Sequence, residues 1–343
     1  MIKRVVADEL LQKLKLMLVA AKKIVITCHV SPDGDAVGSS LCLMHVLRKW
    51  GKQANVITPD MLPPSLTFLP GVKDIVVYTR QELMAKHLMK EADLVVCLDF
   101  NAPYRVDRFA PVLTECKAKK VLIDHHLYPE DFVDLSISEP EMSSTCELLY
   151  HVIYFMGMKR FMSKWSATCL FTGMMTDTGN FTYNSSNPDI YIIVSELLKW
   201  GIDKENIYNL VMNTNSANRL RLMGYALSEK MEVFPEVGGA LITLSHDELQ
   251  KYHYQRGDTE SLVNRPLTIP GIYWSIFLRD DQEYIKVSTR SEGDFAVNVW
   301  CEQYFGGGGH KNAAGGEFRG SLDDCRAIVY SIVEELKKQN NNE

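Results

Sequence analysis

The chain has 343 residues, 46% of them hydrophobic and 23% charged, with a formal net charge of −6. That composition can bury real cores, which excludes disordered and fibrous classes, and the length has room for two domains. The acidic balance argues against a protein that tracks long nucleic acid by neutralising its phosphates, while short anionic substrates held by a metal and one or two arginines stay allowed.

The apolar runs are too short to span a bilayer. The opening stretch MIKRVVADELLQKLKLMLVAAKK has an amphipathic helix pattern with charges throughout and no signal-peptide core. A soluble, cytoplasmic protein without a membrane partner is expected. The cysteines at 28, 42, 97, 116, 146, 169, 301 and 325 never form C-x-x-C, so buried reduced thiols are expected rather than a disulfide framework or a zinc ribbon.

Residues 5–20 are predicted helical, and 24–28 (IVITC) form a β-branched run too short for a helix. His29-Val-Ser-Pro-Asp33-Gly-Asp35 follows as a turn, and residues 36–50 have helical apolar spacing up to Gly51, a C-cap. Strand, polar loop and helix make half of a βαβ crossover. Residues 55–58 are a second strand, 59–70 a Pro-rich loop, and 94–98 (LVVCL) a buried strand that ends in Asp99. Val121-Leu122-Ile123 is the next buried strand, and it delivers Asp124-His125-His126. Ser143-Ser144-Thr145 caps a helix through about 156, and a second helix, 163–175, delivers Asp177. Strands alternating with helices indicate a doubly wound, mostly parallel sheet over residues 1–190. A helical connection, 191–230, leads to a smaller α+β domain, 231–343. In it, 239–244, 273–278 and 284–289 are predicted strands, and about 245–253, 294–303 and 321–338 are helices. Between the last two helices lies Gly306-Gly307-Gly308-Gly309-His310-Lys-Asn-Ala-Ala-Gly-Gly316.

His29, Asp33, Asp35, Asp99, Asp124, His125, His126 and Asp177 all stand at strand or helix ends. Taken singly, each has an ordinary reading as a turn former or a satisfied polar residue. In a parallel sheet, however, the C-terminal strand ends lie along one edge and can meet in one crevice. Carboxylates and imidazoles without thiolate suit Mn²⁺, with Mg²⁺, Co²⁺ or Fe²⁺ as alternatives, rather than structural zinc. There are enough ligands for two ions sharing a bridging carboxylate, the arrangement that serves phosphoryl displacement.

These motifs, in order and spacing, resemble the four metal motifs of the DHH phosphoesterase superfamily, and GGGGH with Ala-Ala-Gly-Gly resembles its DHHA1 domain. The two-domain layout is similar to the nano-RNase/pAp phosphatase branch. The resemblance implies an active site in the cleft between the domains. A first metal would be held by His29, Asp33 and Asp99, and a second by Asp35, Asp99, His125 and Asp177, with Asp99 as the bridge. It further implies that Asp124 orients His125 and that His126 contacts the scissile phosphate. Gly307, Gly308, Gly309 and His310 would grip the terminal phosphate, although composition alone would make the glycine run a flexible linker. Arg290 resembles the family's substrate-phosphate arginine, and Arg105 is a further candidate.

The implied activity is Mn²⁺-dependent hydrolysis of short oligoribonucleotides and of 3′-phosphoadenosine 5′-phosphate (pAp), with no long duplex as partner and a homodimer left open. Linear or cyclic dinucleotide signals, such as pApA, fit the same motifs. The GGGGH segment argues against an inorganic pyrophosphatase, and the complete metal set argues against a non-catalytic nucleotide sensor. Base stacking calls for an aromatic, but fifteen tyrosines and thirteen phenylalanines single out none.

Overall fold

A computed structural model describes residues 2–340. The chain divides into two compact units, Met1–Thr214 and Asn215–Glu343.

The first unit is built on six parallel strands: β1 (Lys23–Thr27), β2 (Gln53–Thr58), β3 (Val76–Val77), β4 (Leu94–Leu98), β5 (Lys119–Asp124) and β6 (Leu135–Ser138), in the order β3-β2-β1-β4-β5-β6. The two-residue β3 and the edge strand β6 are too short or too polar to stand out in the sequence. Alternation along the inner strands sends Ile24, Ile26, Val96 and Ile123 to one face and Val25, Val95, Cys97 and Leu122 to the other. Both faces are covered, so these strands read as unbroken apolar runs. The first face packs against α1 (Asp8–Ala20), α2 (Gly34–Lys49), α5 (Thr145–Phe155) and α6 (Lys164–Asp177). The second packs against α3 (Glu82–Lys90) and α4 (Ala110–Glu115). Strand order reverses between β1 and β4, which opens a crevice beyond their C-terminal ends.

The helices expected to connect the domains divide between the two cores. Ile190, Ile193 and Leu197 of α7 (Pro188–Leu198) and Ile207 of α8 (Lys204–Met212) are buried in the first core. Leu222 and Ala226 of α9 (Ala217–Glu229) are buried in the second unit. That unit holds a mixed sheet of β7 (Met231–Phe234), β8 (Gly239–Leu244), β9 (Trp274–Asp280), β10 (Ile285–Ser291), β11 (Gly308–His310) and β12 (Ala313–Phe318), in the order β11-β12-β10-β9-β8-β7. Its helices α10 (His246–Lys251), α11 (Asn298–Tyr304) and α12 (Leu322–Asn340) complete the fold. The glycine run is therefore a strand of a hairpin and no linker. A Cβ at Gly307, the residue just before β11, would lie 2.4 Å from Gly316 Cα, so the chain there passes β12 too closely for any side chain. Among the described residues no helix is long and apolar enough to cross a membrane.

One close approach sets the position of α2. A Cβ on Gly173 of α6 would collide with Cys146 Sγ and lie 3.0 Å from both Cα and Oδ1 of Asp35. Gly173→Ala is therefore expected to lower stability by about 1–3 kcal/mol, the usual range for overpacking. Urea unfolding of the two proteins measures it.

Candidate metal centre

The crevice at the strand-order reversal collects the predicted ligands. The loop after β1 carries His29 and Asp33, the first turn of α2 carries Asp35, Asp99 directly follows β4, β5 ends at Asp124 before His125 and His126, and Asp177 closes α6. Three groups of ligand atoms, each within 4.8 Å of one another, result: His29, Asp33 and Asp99; Asp35, His125 and Asp177; and Asp99, His125 and His126.

Asp99 belongs to two sides of this arrangement. Its Oδ2 lies 3.5 Å from His29 Nε2, and its Oδ1 lies 3.6 Å from His125 Nε2. Its backbone has φ 65°, a left-handed conformation that costs a non-glycine residue about 1–2 kcal/mol and turns its carboxylate into the crevice. His29 Nε2 also stands 3.6 Å from Asp33 Oδ2, and His125 Nε2 stands 3.4 Å from Asp177 Oδ2 and 4.0 Å from Asp35 Oδ2. These separations exceed hydrogen bonds. They suit atoms that share a small cation, since ligands ~2.1 Å from one ion lie about 3–4.2 Å apart in octahedral geometry.

The two imidazoles are set up as ligands. His29 Nδ1 lies 2.7 Å from the Val30 carbonyl, and His125 Nδ1 lies 3.1 Å from the Met142 carbonyl. A carbonyl oxygen only accepts, so each Nδ1 carries a proton, and in the neutral ring the lone pair lies on Nε2, which faces the crevice carboxylates. The expectation that Asp124 orients His125 is corrected here. Asp124 Oδ1 accepts from His126 Nδ1 at 2.7 Å, because adjacent side chains at the end of β5 diverge and only that of His126 turns back onto the strand's last carboxylate.

Asp33 fulfils its ordinary reading as well as the chemical one. Its Oδ1 caps α2 by accepting from the N–H groups of Asp35 and Ala36, at 2.9 and 3.0 Å, while its Oδ2 faces His29. Asp35 is fully buried. Its two oxygens accept from the N–H groups of Thr145 and Cys146, at 2.6 and 2.8 Å, in the first turn of α5. Thr145 Oγ1 donates to Asp99 Oδ1 at 2.9 Å. Thr145 and the Met142 carbonyl were not legible as site residues. The Ser-Ser-Thr cap marks a helix start, and nothing in the sequence says that this start points at Asp35 and Asp99.

Electrostatics record the crowding of carboxylates. Burial, with Asp99 and Asp177 nearby, pushes Asp35 well above the usual range. Burial lifts Asp177 to about 6 against the pull of His125. Burial also opposes ionisation of Asp99, but the attraction of the His29 ring, with His125 and His126 adding to it, prevails and holds it at about 2. On His29, burial is outweighed by Asp33 and Asp99, which raise it to about 10. The hydrogen bond to Asp124 raises His126 against its burial, and Arg105 opposes that rise. The buried Nε of Arg105 has no partner within the protein.

A family model described as the DHH family, N-terminal domain, matches residues 23–174, and one for the DHHA1 domain matches residues 242–338. A Thermus thermophilus protein named bifunctional oligoribonuclease and PAP phosphatase NrnA is 31% identical, over 92% of this chain and 90% of that protein. The chain belongs to the DHH/DHHA1 phosphoesterase family. The crystal structure of an exopolyphosphatase-related protein from Bacteroides fragilis is 48% identical, with a TM-score of 0.93, over 98% of this chain and 99% of that one. A Listeria monocytogenes cyclic-di-AMP phosphodiesterase, PdeA, is 28% identical over 91% of this chain but 47% of its own length, so this chain spans about half of it.

In the DHHA1 unit, the remaining predicted residues occupy the sheet. Arg290 on β10 pairs with Ala313 on β12, which pairs in turn with His310 on β11. Directly opposed residues share a face, so Arg290 and His310 stand on one side of the sheet, ~10 Å apart across two strand spacings. Arg290 is half-buried, burial lowers its pKa, and its Nη1 donates to the Thr289 carbonyl at 2.8 Å. His310 is exposed, and Gly308 and Gly309 precede it in β11.

The shifts give the pH dependence a sign. Asp177 has a folded value of about 6, above that of an unfolded aspartate, so its contribution to stability is full below the unfolded value and is lost as pH rises through about 6. Asp35 acts in the same direction. A divalent cation requires the carboxylates and His29 in their deprotonated forms, so binding releases protons. Without metal, the melting temperature is expected to fall between about pH 5 and 7, while the rise produced by added Mn²⁺ grows over the same window. Thermal melts with and without the ion check both.

Proposed function

We propose that this phosphoesterase is a Mn²⁺-dependent enzyme that releases mononucleotides from short oligoribonucleotides and dephosphorylates pAp. The observation that carries the reading is the splitting of Asp99, one oxygen toward His29 and the other toward His125, with a complete ligand set on each side. His29, Asp33 and Asp99 would hold one cation, and Asp35, Asp99, His125 and Asp177 a second. When bound, two divalent cations activate a water and neutralise the charge that develops in a phosphoryl displacement.

The chain's own groups do the rest. Thr145 and the first turn of α5 hold Asp35 and Asp99 in place. Asp124 fixes the His126 ring through Nδ1 and favours its protonated form, so that Nε2 is a donor toward a phosphoryl oxygen. Arg105, whose charge acts on His126 and whose buried Nε has no partner, would be a second group for that phosphate. In the DHHA1 unit, Arg290, His310 and the strand Gly307, Gly308 and Gly309 would take the substrate's other phosphate, through the guanidinium and backbone N–H groups. The choice of short oligoribonucleotides and pAp is supported by the Thermus relative, whose length this chain matches almost throughout.

Purified protein with Mn²⁺ is expected to hydrolyse a 5′-phosphorylated dinucleotide and pAp, to act slowly on a long single-stranded RNA and to spare pyrophosphate. Asp99→Ala should lower kcat/KM by about 10³-fold or more. Equal rates on dinucleotide and long RNA, or full activity in Asp99→Ala, would refute the reading. Turnover of pApA with none of pAp would reassign the enzyme to dinucleotide signals.

The two histidines should separate. His125→Ala is expected to weaken Mn²⁺ binding in titration calorimetry, whereas His126→Ala keeps that binding and loses about 10²–10³-fold in kcat. Equal loss of metal in both variants would mean that His126 is a ligand.

A further inference from the structure

We infer that Tyr128 is a stacking platform for a nucleobase of the substrate; this rests on the nucleotide reading above. Tyr128 lies two residues beyond His126, within ~7 Å of it along the chain. It is 86% exposed, against 69% for Tyr104 and 66% for Tyr183, the two other exposed tyrosines that follow ligand segments. Its backbone has φ 57°, a left-handed conformation that glycine adopts freely and that a bulky L side chain rarely does. The loop is tied in that shape. Asn101 Nδ2 donates to the Leu127 carbonyl at 2.7 Å, and the Glu130 N–H donates to the Asn101 carbonyl at 2.8 Å, which fastens the segment around Tyr128 to the segment that follows Asp99.

A ring in this position serves no core and eases no backbone strain. The Tyr183 ring, by contrast, packs on Gly179. What the Tyr128 position does provide is an exposed aromatic ring two residues along the chain from the histidine assigned to the scissile phosphate. A substrate phosphate anchored there brings its own sugar and base within reach, and every base offers a π-face of the kind that stacks on tyrosine regardless of sequence. The site is therefore expected to favour nucleotides over other phosphoesters without strong preference among bases.

The test compares a 5′-phosphorylated dinucleotide with its counterpart lacking one base, either base in turn. The ratio of their kcat/KM values in the wild type measures what each base contributes. Tyr128→Ala should collapse that ratio for one of the two bases by about 5- to 150-fold, with the change mainly in KM, and Tyr128→Phe and Tyr128→Trp should retain it. Tyr128→Gly, which suits the left-handed backbone, should lose the ratio as Ala does while melting at a temperature no lower than the wild type. A ratio that Tyr128→Ala leaves intact, or that Phe loses as fully as Ala, would overturn the platform while leaving the phosphoesterase reading standing. A wild type that hydrolyses neither dinucleotide nor pAp would overturn both.

Discussion

The N-terminal unit depends on one buried carboxylate. Asp35 lies out of reach of solvent, where an isolated anion would cost several kcal/mol. It is tolerated because the first turn of α5 points two free N–H groups at it, at the end of the helix that favours negative charge. For those groups to arrive there, α2 and α6 must pack without a side chain at Gly173, and α5 must begin at Thr145. The same threonine then reaches Asp99 through its hydroxyl. A single helix start thus fixes one carboxylate from each side of the strand-order reversal, and the groups that could hold a metal are built on that frame.

The frame explains a second feature. Burial makes these carboxylates costly to ionise, and their mutual repulsion adds to that cost, which is why Asp35 and Asp177 rise while Asp99, paired with His29, stays low. The crevice without cations is a place where protons must substitute for metal. Backbone strain at Asp99 belongs to the same pattern: the fold holds an unfavourable dihedral there because the surrounding hydrogen bonds and strands determine it from several directions.

The ligand set was legible because it obeys local rules. Apolar runs such as LVVCL and VLI, each followed at once by acids or imidazoles, mark buried parallel strands and their C-terminal ends, and Asp177 closes a largely buried helix that Ser163 caps. What the sequence withheld depends on approach between distant segments. The pairing of Asp124 with His126 rather than His125, the Met142 carbonyl behind His125 and the aim of α5 are all contacts whose partners have no spacing to read. The glycine run misleads for a related reason. Composition marks it as flexible, whereas β12 lies so close to Gly307 that only glycine fits. Likewise, the exposure of Tyr128 could not be told from that of the other tyrosines until the loop was in place.

His125 and His126 show how neighbours in a strand end can acquire different chemistry. Their rings sit edge to face with centroids 5.0 Å apart, in nearly the same surroundings. The difference lies in what each Nδ1 meets. A carbonyl behind His125 accepts from Nδ1, so in the neutral ring the lone pair lies on Nε2. A carboxylate behind His126 favours a second proton instead, which biases that ring toward donating from both nitrogens. One is suited to a metal and the other to a phosphate oxygen. Exchanging the two partners would exchange the two roles, so the functional assignment of this motif resides in the acceptors behind the rings as much as in the histidines themselves.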